Sequence, residues 1–396
     1  MTDRATVRLR PKVDARRIRH GFPWVYDNEL VTDRRTKALT PGALAVLEDA
    51  ERQPLGLAAV SPGSRIICRL LDPSPDAEIG AEWIATRIAK AQAHRSLVFD
   101  APFYRLVHAE ADGLPGVVID RFGDIAVIQP NAAWAEAHLA LITEALAEVS
   151  GVTTIVKNAG GRARKLEGLE GETEVLTGSL DGPVEVPMNG AIYMADLLGG
   201  QKTGLFFDQR ANQAAAAQLA PKARVLDVFS HVGGFALAAL AAGADSAVAV
   251  DSSAPALDLA KQGAAAAGLT ERFHTMQGDA FEAMNALAQE KIGFELVVCD
   301  PPAFAPNRGA LDAGLRAYEK VARNAAGLVA EGGYLVLCSC SHAATLDKFR
   351  AACARGIGRA GRRAQLVSTG FASADHPQHL QLAESSYLKA LFFRML

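Results

Sequence analysis

From Pro221 onward the chain alternates short apolar strands with helical stretches, and this constrains the fold more than any other feature. The strands read as Arg224–Val228, Ser246–Asp251, Phe273–Gln277, Phe294–Cys299 and Tyr334–Cys338, with helices that include Gly234–Ala242, Ala254–Ala267 and Asp312–Leu328. Strictly alternating elements of this kind build an α/β, doubly wound parallel sheet. The strands are almost wholly apolar, as expected when helices cover both faces. Ala364–Ser368 and Tyr387–Arg394 have no clear helix between them and predict an antiparallel terminal hairpin. In such a sheet ligands bind beyond the carboxyl ends of the strands.

Four of those ends carry polar residues or glycine. The first is Val225-Leu-Asp-Val-Phe-Ser-His-Val-Gly-Gly-Phe-Ala236, in which Gly233 and Gly234 open a helix. Glycine lets backbone approach a ligand, but His231 stands where a dinucleotide fingerprint wants its first glycine. A nicotinamide-dependent dehydrogenase is disfavoured on that ground. The second is Asp251, 24 residues after Asp227, placed either to accept from ribose hydroxyls or, with Ser252 or Ser253, to cap the next helix. The third is Gly278-Asp279-Ala280, where Asp279 can accept from an exocyclic amine or serve as a cap. The fourth is Cys299-Asp-Pro-Pro-Ala-Phe304; two prolines make a rigid exit that presents Asp300, with Phe304 positioned to stack on a flat base.

The rest of the chain divides differently. Residues 1–72 read as a small all-β module, 73–185 as a central α+β unit of EEHEE type, and 186–396 as the doubly wound domain. Net charge is −3, yet residues 1–37 hold ten Lys/Arg against five acids, which points to an anionic partner at one end or to a solvated basic surface. Five cysteines make no disulfide scaffold, and no CxxC pair or His spacing points to a metal. No apolar run approaches the ~20 residues that span a bilayer. The first residues lack a signal-peptide core, so a cytoplasmic, reducing compartment is expected.

Taken in order, the four strand ends resemble those of class I S-adenosylmethionine (SAM)-dependent methyltransferases, and the Asp-Pro-Pro-aromatic form resembles that of enzymes acting on nucleobases. The fifth strand adds Val336-Leu-Cys-Ser-Cys-Ser-His342. Methylation of cytosine at carbon 5 needs a thiolate added to carbon 6, because carbon 5 is otherwise a poor nucleophile. Cys338 still lies in the strand and reads as core; Cys340 reads as the candidate nucleophile. Methylation of guanine at N2 or N7 would need no cysteine, and a non-catalytic RNA-binding assembly factor would need no intact acids at Asp251, Asp279 and Asp300.

Nearly the whole chain resembles the RlmI-like family of bacterial 23S ribosomal RNA (cytosine-5) methyltransferases. The likeness is carried by Arg19-His-Gly-Phe-Pro-Trp-Val-Tyr, Tyr104–Asp120, Lys202-Thr-Gly-Leu-Phe-Phe-Asp-Gln-Arg210, Asp375-His-Pro377 and Tyr387-Leu-Lys389. It implies an N-terminal PUA-type RNA-binding domain, SAM as methyl donor, 23S ribosomal RNA as partner with cytosine 1962 as the family target, no membrane, and a homodimer. Cys340 matches the nucleophile and Asp300 the acid on the cytosine N3/N4 edge; water or Asp300 are candidates for taking the carbon-5 proton. Gln209, Phe229, Ser230, Asp251, Asp279 and Asp300 match the donor pocket, to which Asp227, Gly233 and Ser252 are added as neighbours. Pro301, Pro302, Phe304, Arg210, Arg16 and Arg19 are the candidates for contact with RNA.

Overall fold

The computed structural model describes residues 4–200 and 204–396, so Lys202 and Thr203 of the segment before Arg210 lie outside the described residues. The chain separates into two compact units. The first takes the described residues of Met1–Asp181, Leu197–Thr203 and Ala374–Leu382; the second takes Gly182–Asp196, Gly204–Ser373 and Ala383–Leu396.

The first unit holds two sheets. Strands β1 (Ala5–Arg8), β2 (Trp24–Tyr26), β3 (Ala43–Glu48), β4 (Pro54–Val60) and β5 (Ile66–Asp72) form a five-stranded sheet in the order β1-β3-β4-β5-β2. Leu9, Leu30, Leu47 and Leu57 are fully buried against it. Arg17 pairs with Glu29 and Arg19 with Asp49, whereas Arg16 is exposed.

The second sheet runs β10 (Glu174–Thr177), β9 (Thr154–Lys157), β8 (Ile125–Pro130), β7 (Val117–Phe122), β6 (Phe103–His108). The helix Ala81–Val98 lays Ile84, Ile88 and Ala91 into the core. Sequence periodicity predicts one helix over 133–149; the structure has two, Ala133–Ala137 and Leu139–Ser150. Trp134 is fully buried with its indole N–H donated to Pro115 O at 2.8 Å, and the chain reorients at His138.

A buried ion cluster closes this unit. Arg95, fully buried, grips Asp112 with two bonds of 2.7 Å and donates to Arg105 O and Asp375 O at 3.0 and 2.9 Å. The Asp375 carboxylate accepts from Arg105 N at 3.0 Å and lies 2.9 Å from His376 Nδ1. Buried charges persist only when paired and hydrogen-bonded. Asp375-His376 therefore serves here as a clamp on the central sheet.

In the second unit, the hairpin β11 (Val184–Met188) and β12 (Ala191–Ala195) spans the 185/186 position at which the sequence suggested a boundary. It packs on the helices Gly234–Ala241 and Ala254–Ala266; Tyr193 Oη donates to Gly234 O at 3.0 Å. The main sheet comprises β13 (Arg224–Val228), β14 (Ser246–Asp251), β15 (Phe273–Gln277), β16 (Phe294–Cys299), β17 (Val329–Ser339), β18 (Ala364–Gly370) and β19 (Lys389–Met395). Its order is β15-β14-β13-β16-β17-β19-β18, parallel except for β19, which runs antiparallel to β17 and β18. The strand order reverses between β13 and β16, and Val228 pairs with Cys299 in register. The loops after these two strands thus open at one level, at the topological switch point where ligands bind. Among the described residues no helix is long and apolar enough to cross a membrane.

The helices Leu311–Ala326 and Leu346–Arg359 cover one face of this sheet and meet at Gly356, where a Cβ would lie 2.4 Å from Glu319 O and 2.7 Å from Ala322 Cβ. Gly356→Val should lower stability by about 1–3 kcal/mol through overpacking. Gly358, two residues on, meets nothing within 4 Å. Gly358→Ala should be neutral or gain about 0.5–1 kcal/mol from helix propensity. Urea denaturation of the two variants checks the contrast.

Candidate active site

The loop after β13 carries backbone strain. Phe229 and His231 adopt φ of +64° and +51°, and Gly233 φ of +75°. Left-handed non-glycine residues cost about 1–3 kcal/mol each and persist where the surroundings over-determine them. Here they are held from beneath and from the side. Asp227 is fully buried and accepts from Phe235 N and Ala236 N at 3.1 and 2.9 Å, pinning the helix N-terminus. Asp251 accepts from His231 N and Ser253 N, both at 2.8 Å.

Burial pushes the Asp227 carboxyl up to about 7, the two N–H donors pull it down, and the Asp251 charge adds to the rise. Asp227 therefore sits under the site as its support, a role that the spacing argument did not distinguish from ligand contact.

Several buried polar atoms around this loop have no hydrogen-bond partner among the described residues: Ser230 Oγ, Gln209 Nε2, Gln213 Oε1 and Asp227 Oδ1. Gln209 lies in the turn Phe207–Gln209, with its Oε1 accepting from Asn212 Nδ2 at 2.6 Å. A Cβ on Gly234 would lie 2.6 Å from Gln213 Nε2, so glycine there leaves room for that amide. The Arg210 guanidinium lies 5.5 Å from the Phe207 ring centre.

Beyond β14, Ser253 rather than Ser252 caps the following helix, and Ser252 is exposed. Beyond β15, Asp279 caps the helix Ala280–Gln289 through Oδ1, which accepts from Phe281 N and Glu282 N at 2.8 and 3.1 Å. The cap reading holds for Asp279, whereas Asp251 leaves the cap to Ser253 and instead accepts from His231 N and Ser253 N. Each carboxylate nonetheless keeps lone pairs for further donors.

Beyond β16, Asp300 is half-buried with its N–H donated to Val228 O at 3.2 Å, Pro301 is buried and Pro302 exposed. Phe304 lies against Tyr318, with ring centres 5.0 Å apart, and edge-on to Phe229 at 6.4 Å. It closes an aromatic cluster that continues to Phe349, 5.0 Å from Tyr318.

Cys340 follows β17, and its Sγ lies 4.0 Å from Pro301 O. The serines on either side hold it there. Ser339 Oγ donates to Tyr318 Oη at 2.9 Å, Tyr318 Oη lies 2.8 Å from Ser341 Oγ, and Ala305 N donates to Ser341 Oγ at 3.0 Å. This buried chain ties the cysteine segment to the Asp300–Phe304 loop. Cys68, Cys299, Cys338 and Cys353 are buried, which pushes their thiols up, Cys68 to about 12. Cys340 is the half-buried one among the five.

The structure thus brings Asp227, Phe229, Ser230, Gly233, Asp251, Asp300 and Cys340 to neighbouring strand ends of one sheet, with Gln209 and Arg210 in the segment leading to β13. Arg16 and Arg19 belong to the first unit. Sequence reasoning assigned no role to Tyr318, Ser339, Ser341 or Lys389; the Tyr387-Leu-Lys389 motif was the available signal.

Residues 164–394 match the family model of S-adenosylmethionine-dependent methyltransferases, and residues 7–73 match that of PUA-like domains. A relative from Alteromonas mediterranea, named Ribosomal RNA large subunit methyltransferase I, is 34% identical over 98% of this chain and 98% of its own. One from Deinococcus radiodurans, named Ribosomal RNA large subunit methyltransferase, is 34% identical over 96% of this chain and 94% of its own.

The chain belongs to the RlmI-like family of SAM-dependent methyltransferases.

A solved structure from Streptococcus mutans, described as a SAM-dependent methyltransferase, shares the fold with a TM-score of 0.82 at 18% identity, covering 98% of this chain and 100% of that one. A second methyltransferase, solved with S-adenosylhomocysteine, has a TM-score of 0.81 at 18% identity, covering 98% of this chain and 99% of that one. The RlmI-like fold is thus a PUA-like domain followed by a Rossmann-like methyltransferase sheet. The donor set suits SAM: unpartnered buried polar atoms at Ser230, Gln209 and Gln213 and carboxylates at Asp251 and Asp279 match a ligand rich in hydroxyls and amines.

The raised carboxyl of Asp227 has a pH consequence. Unfolded, an Asp titrates near ~3.9; folded, this one titrates at about 7. Between those values the folded chain holds the proton more tightly, so this group's contribution to stability falls as pH rises, by up to about 1.4 kcal/mol per unit. Asp227→Asn keeps an acceptor for both N–H groups. The stability difference between it and the wild type should change across about pH 4–7 and level off above that range in urea titrations; a constant difference would contradict the assignment.

Proposed function

We propose that this chain methylates carbon 5 of a cytosine in 23S ribosomal RNA, with SAM as donor and Cys340 as covalent nucleophile. The observation that carries the reading is the half-buried Cys340 Sγ, 4.0 Å from Pro301 O in the Asp-Pro-Pro loop. The relatives' names support action on large-subunit ribosomal RNA, and the PUA-like match supports RNA binding. Residues 1–72 then hold RNA, with Arg16 and Arg19 among its phosphate contacts, which position without specifying sequence. Residues 73–185 connect that module to the methyltransferase domain. A ribosomal RNA target is in keeping with a cytoplasmic location.

Gln209, Phe229, Ser230, Gly233, Asp251, Ser252 and Asp279 would hold SAM, with Asp227 as the support beneath. Bound there, SAM supplies an electrophilic methyl group. The target base is taken out of its stack and held by Asp300 on its N3/N4 edge, against Pro301, Pro302 and Phe304, with Arg210 on the neighbouring phosphate. The Cys340 thiolate forms a bond to carbon 6, and the carbon 5–carbon 6 π pair becomes available at carbon 5. After methylation the carbon-5 proton passes to water or to the Asp300 carboxylate, the C–H electron pair re-forms the double bond, and the sulfur–carbon bond breaks with its pair returning to Cys340.

Two measurements test this. Asp251→Ala should weaken SAM binding at least tenfold by isothermal titration, since a half-buried hydrogen-bonding partner is lost; unchanged affinity would remove Asp251 from the pocket. Cys340→Ala should abolish methylation while SAM affinity survives. Bisulfite mapping of 23S ribosomal RNA with and without the gene locates the product. Guanine methylation at N2 or N7, which needs no thiol, would appear as full activity in Cys340→Ala.

A further inference from the structure

We propose that Lys389 is the cation that holds Cys340 as its thiolate. This inference rests on the reading of Cys340 as nucleophile. Lys389 opens β19, pairs in register with Ser339, and is buried. Its Nζ donates to Ser341 O at 2.7 Å and to Tyr387 O at 2.8 Å. The ammonium therefore bridges the chain just after Cys340 to the chain just before β19. An ammonium has three N–H donors and no acceptor; two are spent on carbonyl oxygens, whose dipoles favour a positive charge. The third has no oxygen acceptor among the described residues.

The charges around the pair agree. Burial pulls Lys389 down to about 8, and Cys340 is the group that raises it again. From the other elements the facing groups are Asp300 after β16, Tyr318 on the helix Leu311–Ala326, neutral Cys338 within β17, exposed His342, and the Asp208–Tyr387 hydrogen bond of 2.6 Å. An Asp300 carboxylate opposes a second negative charge nearby, as it does for Cys299 and Cys338. Tyr318 is engaged with Ser339 and Ser341. Lys389 is the buried cation of this set, and its charge favours a thiolate. A neighbouring opposite charge shifts a pKa by about 1–3 units. On activation the thiol proton goes to solvent and Lys389 keeps its own. When the sulfur–carbon bond breaks, the returning pair meets the same ammonium. Lys389 is thus a positioning residue acting through Cys340.

The test is the pH profile of Cys340 alkylation by iodoacetamide in the full chain, read by mass spectrometry of the Cys340 peptide, with Cys340→Ser confirming the signal. No RNA or SAM is needed, so the result is independent of the methylation reading: active Cys340→Ala would overturn that reading and leave this one to be decided by alkylation. The wild-type midpoint should lie at least about one unit below the ~8.5 of a free thiol. Lys389→Gln, which keeps an N–H donor without charge, should raise the midpoint and slow labelling at pH 7 about tenfold; Lys389→Arg should keep it low. A wild-type midpoint at or above 8.5, or superimposable wild-type and Lys389→Gln profiles, would overturn the proposal. If Lys389→Gln fails to fold, the wild-type midpoint together with Lys389→Arg decides it.

Discussion

The turn from Phe229 to Gly233 at the end of β13 is the constraint on which the site depends. Two non-glycine residues in it are left-handed, so the turn would relax if its supports were removed. Those supports are a buried carboxylate beneath (Asp227), a second carboxylate from the adjacent strand (Asp251), and a tyrosine from β12 whose hydroxyl bonds Gly234 O. Asp227 belongs to β13 itself, Asp251 to the neighbouring β14, and Tyr193 to the separate hairpin of β11 and β12. The doubly wound topology thus holds open a loop that β13 alone could not maintain.

A second polar system does for the Cys340 segment what these carboxylates do for the turn. Ser339, Tyr318 and Ser341 form a buried hydroxyl chain that ends on Ala305 N. The hydroxyls bond one another and accept from Ser341 N and Ala305 N, and buried hydrogen-bond networks of this kind rigidify the backbone they join. The serines flanking Cys340 thus fix the backbone on both sides while its own side chain stays half-buried.

Much of this was legible in the sequence for a physical reason. Interior parallel strands are uninterrupted apolar runs ended by polar or glycine residues, and Arg224–Val228, Ser246–Asp251, Phe273–Gln277 and Phe294–Cys299 have the bounds their composition predicts. The less regular pieces escaped. β17 begins at Val329, five residues before the expected Tyr334, because Glu331-Gly332-Gly333 hides the strand in polar and flexible residues. The break at His138 depends on where the Trp134 indole finds its carbonyl, a contact 19 residues away in sequence. Phe304 reads as a free stacking ring by position, yet one side of it is already against Tyr318. Lys389 could not be weighed from spacing because its neighbours arrive from β17, about fifty residues upstream.

The cysteines show how burial selects chemistry. Reaction requires the thiolate, and desolvation disfavours it. Cys299, Cys338 and Cys353 lie in the sheet or its covering helix, Cys68 in the first sheet, and burial keeps all four as thiols. Cys340 sits one residue beyond the end of β17, where the strand gives way to a loop. It has left the apolar interior yet remains beside Pro301 and the segment held by Lys389. Two residues back, at Cys338, the same residue type in the same segment is fully buried, and desolvation pushes its thiol up. The position at the strand's end, rather than the presence of a cysteine, sets Cys340 apart from the other four as the candidate nucleophile.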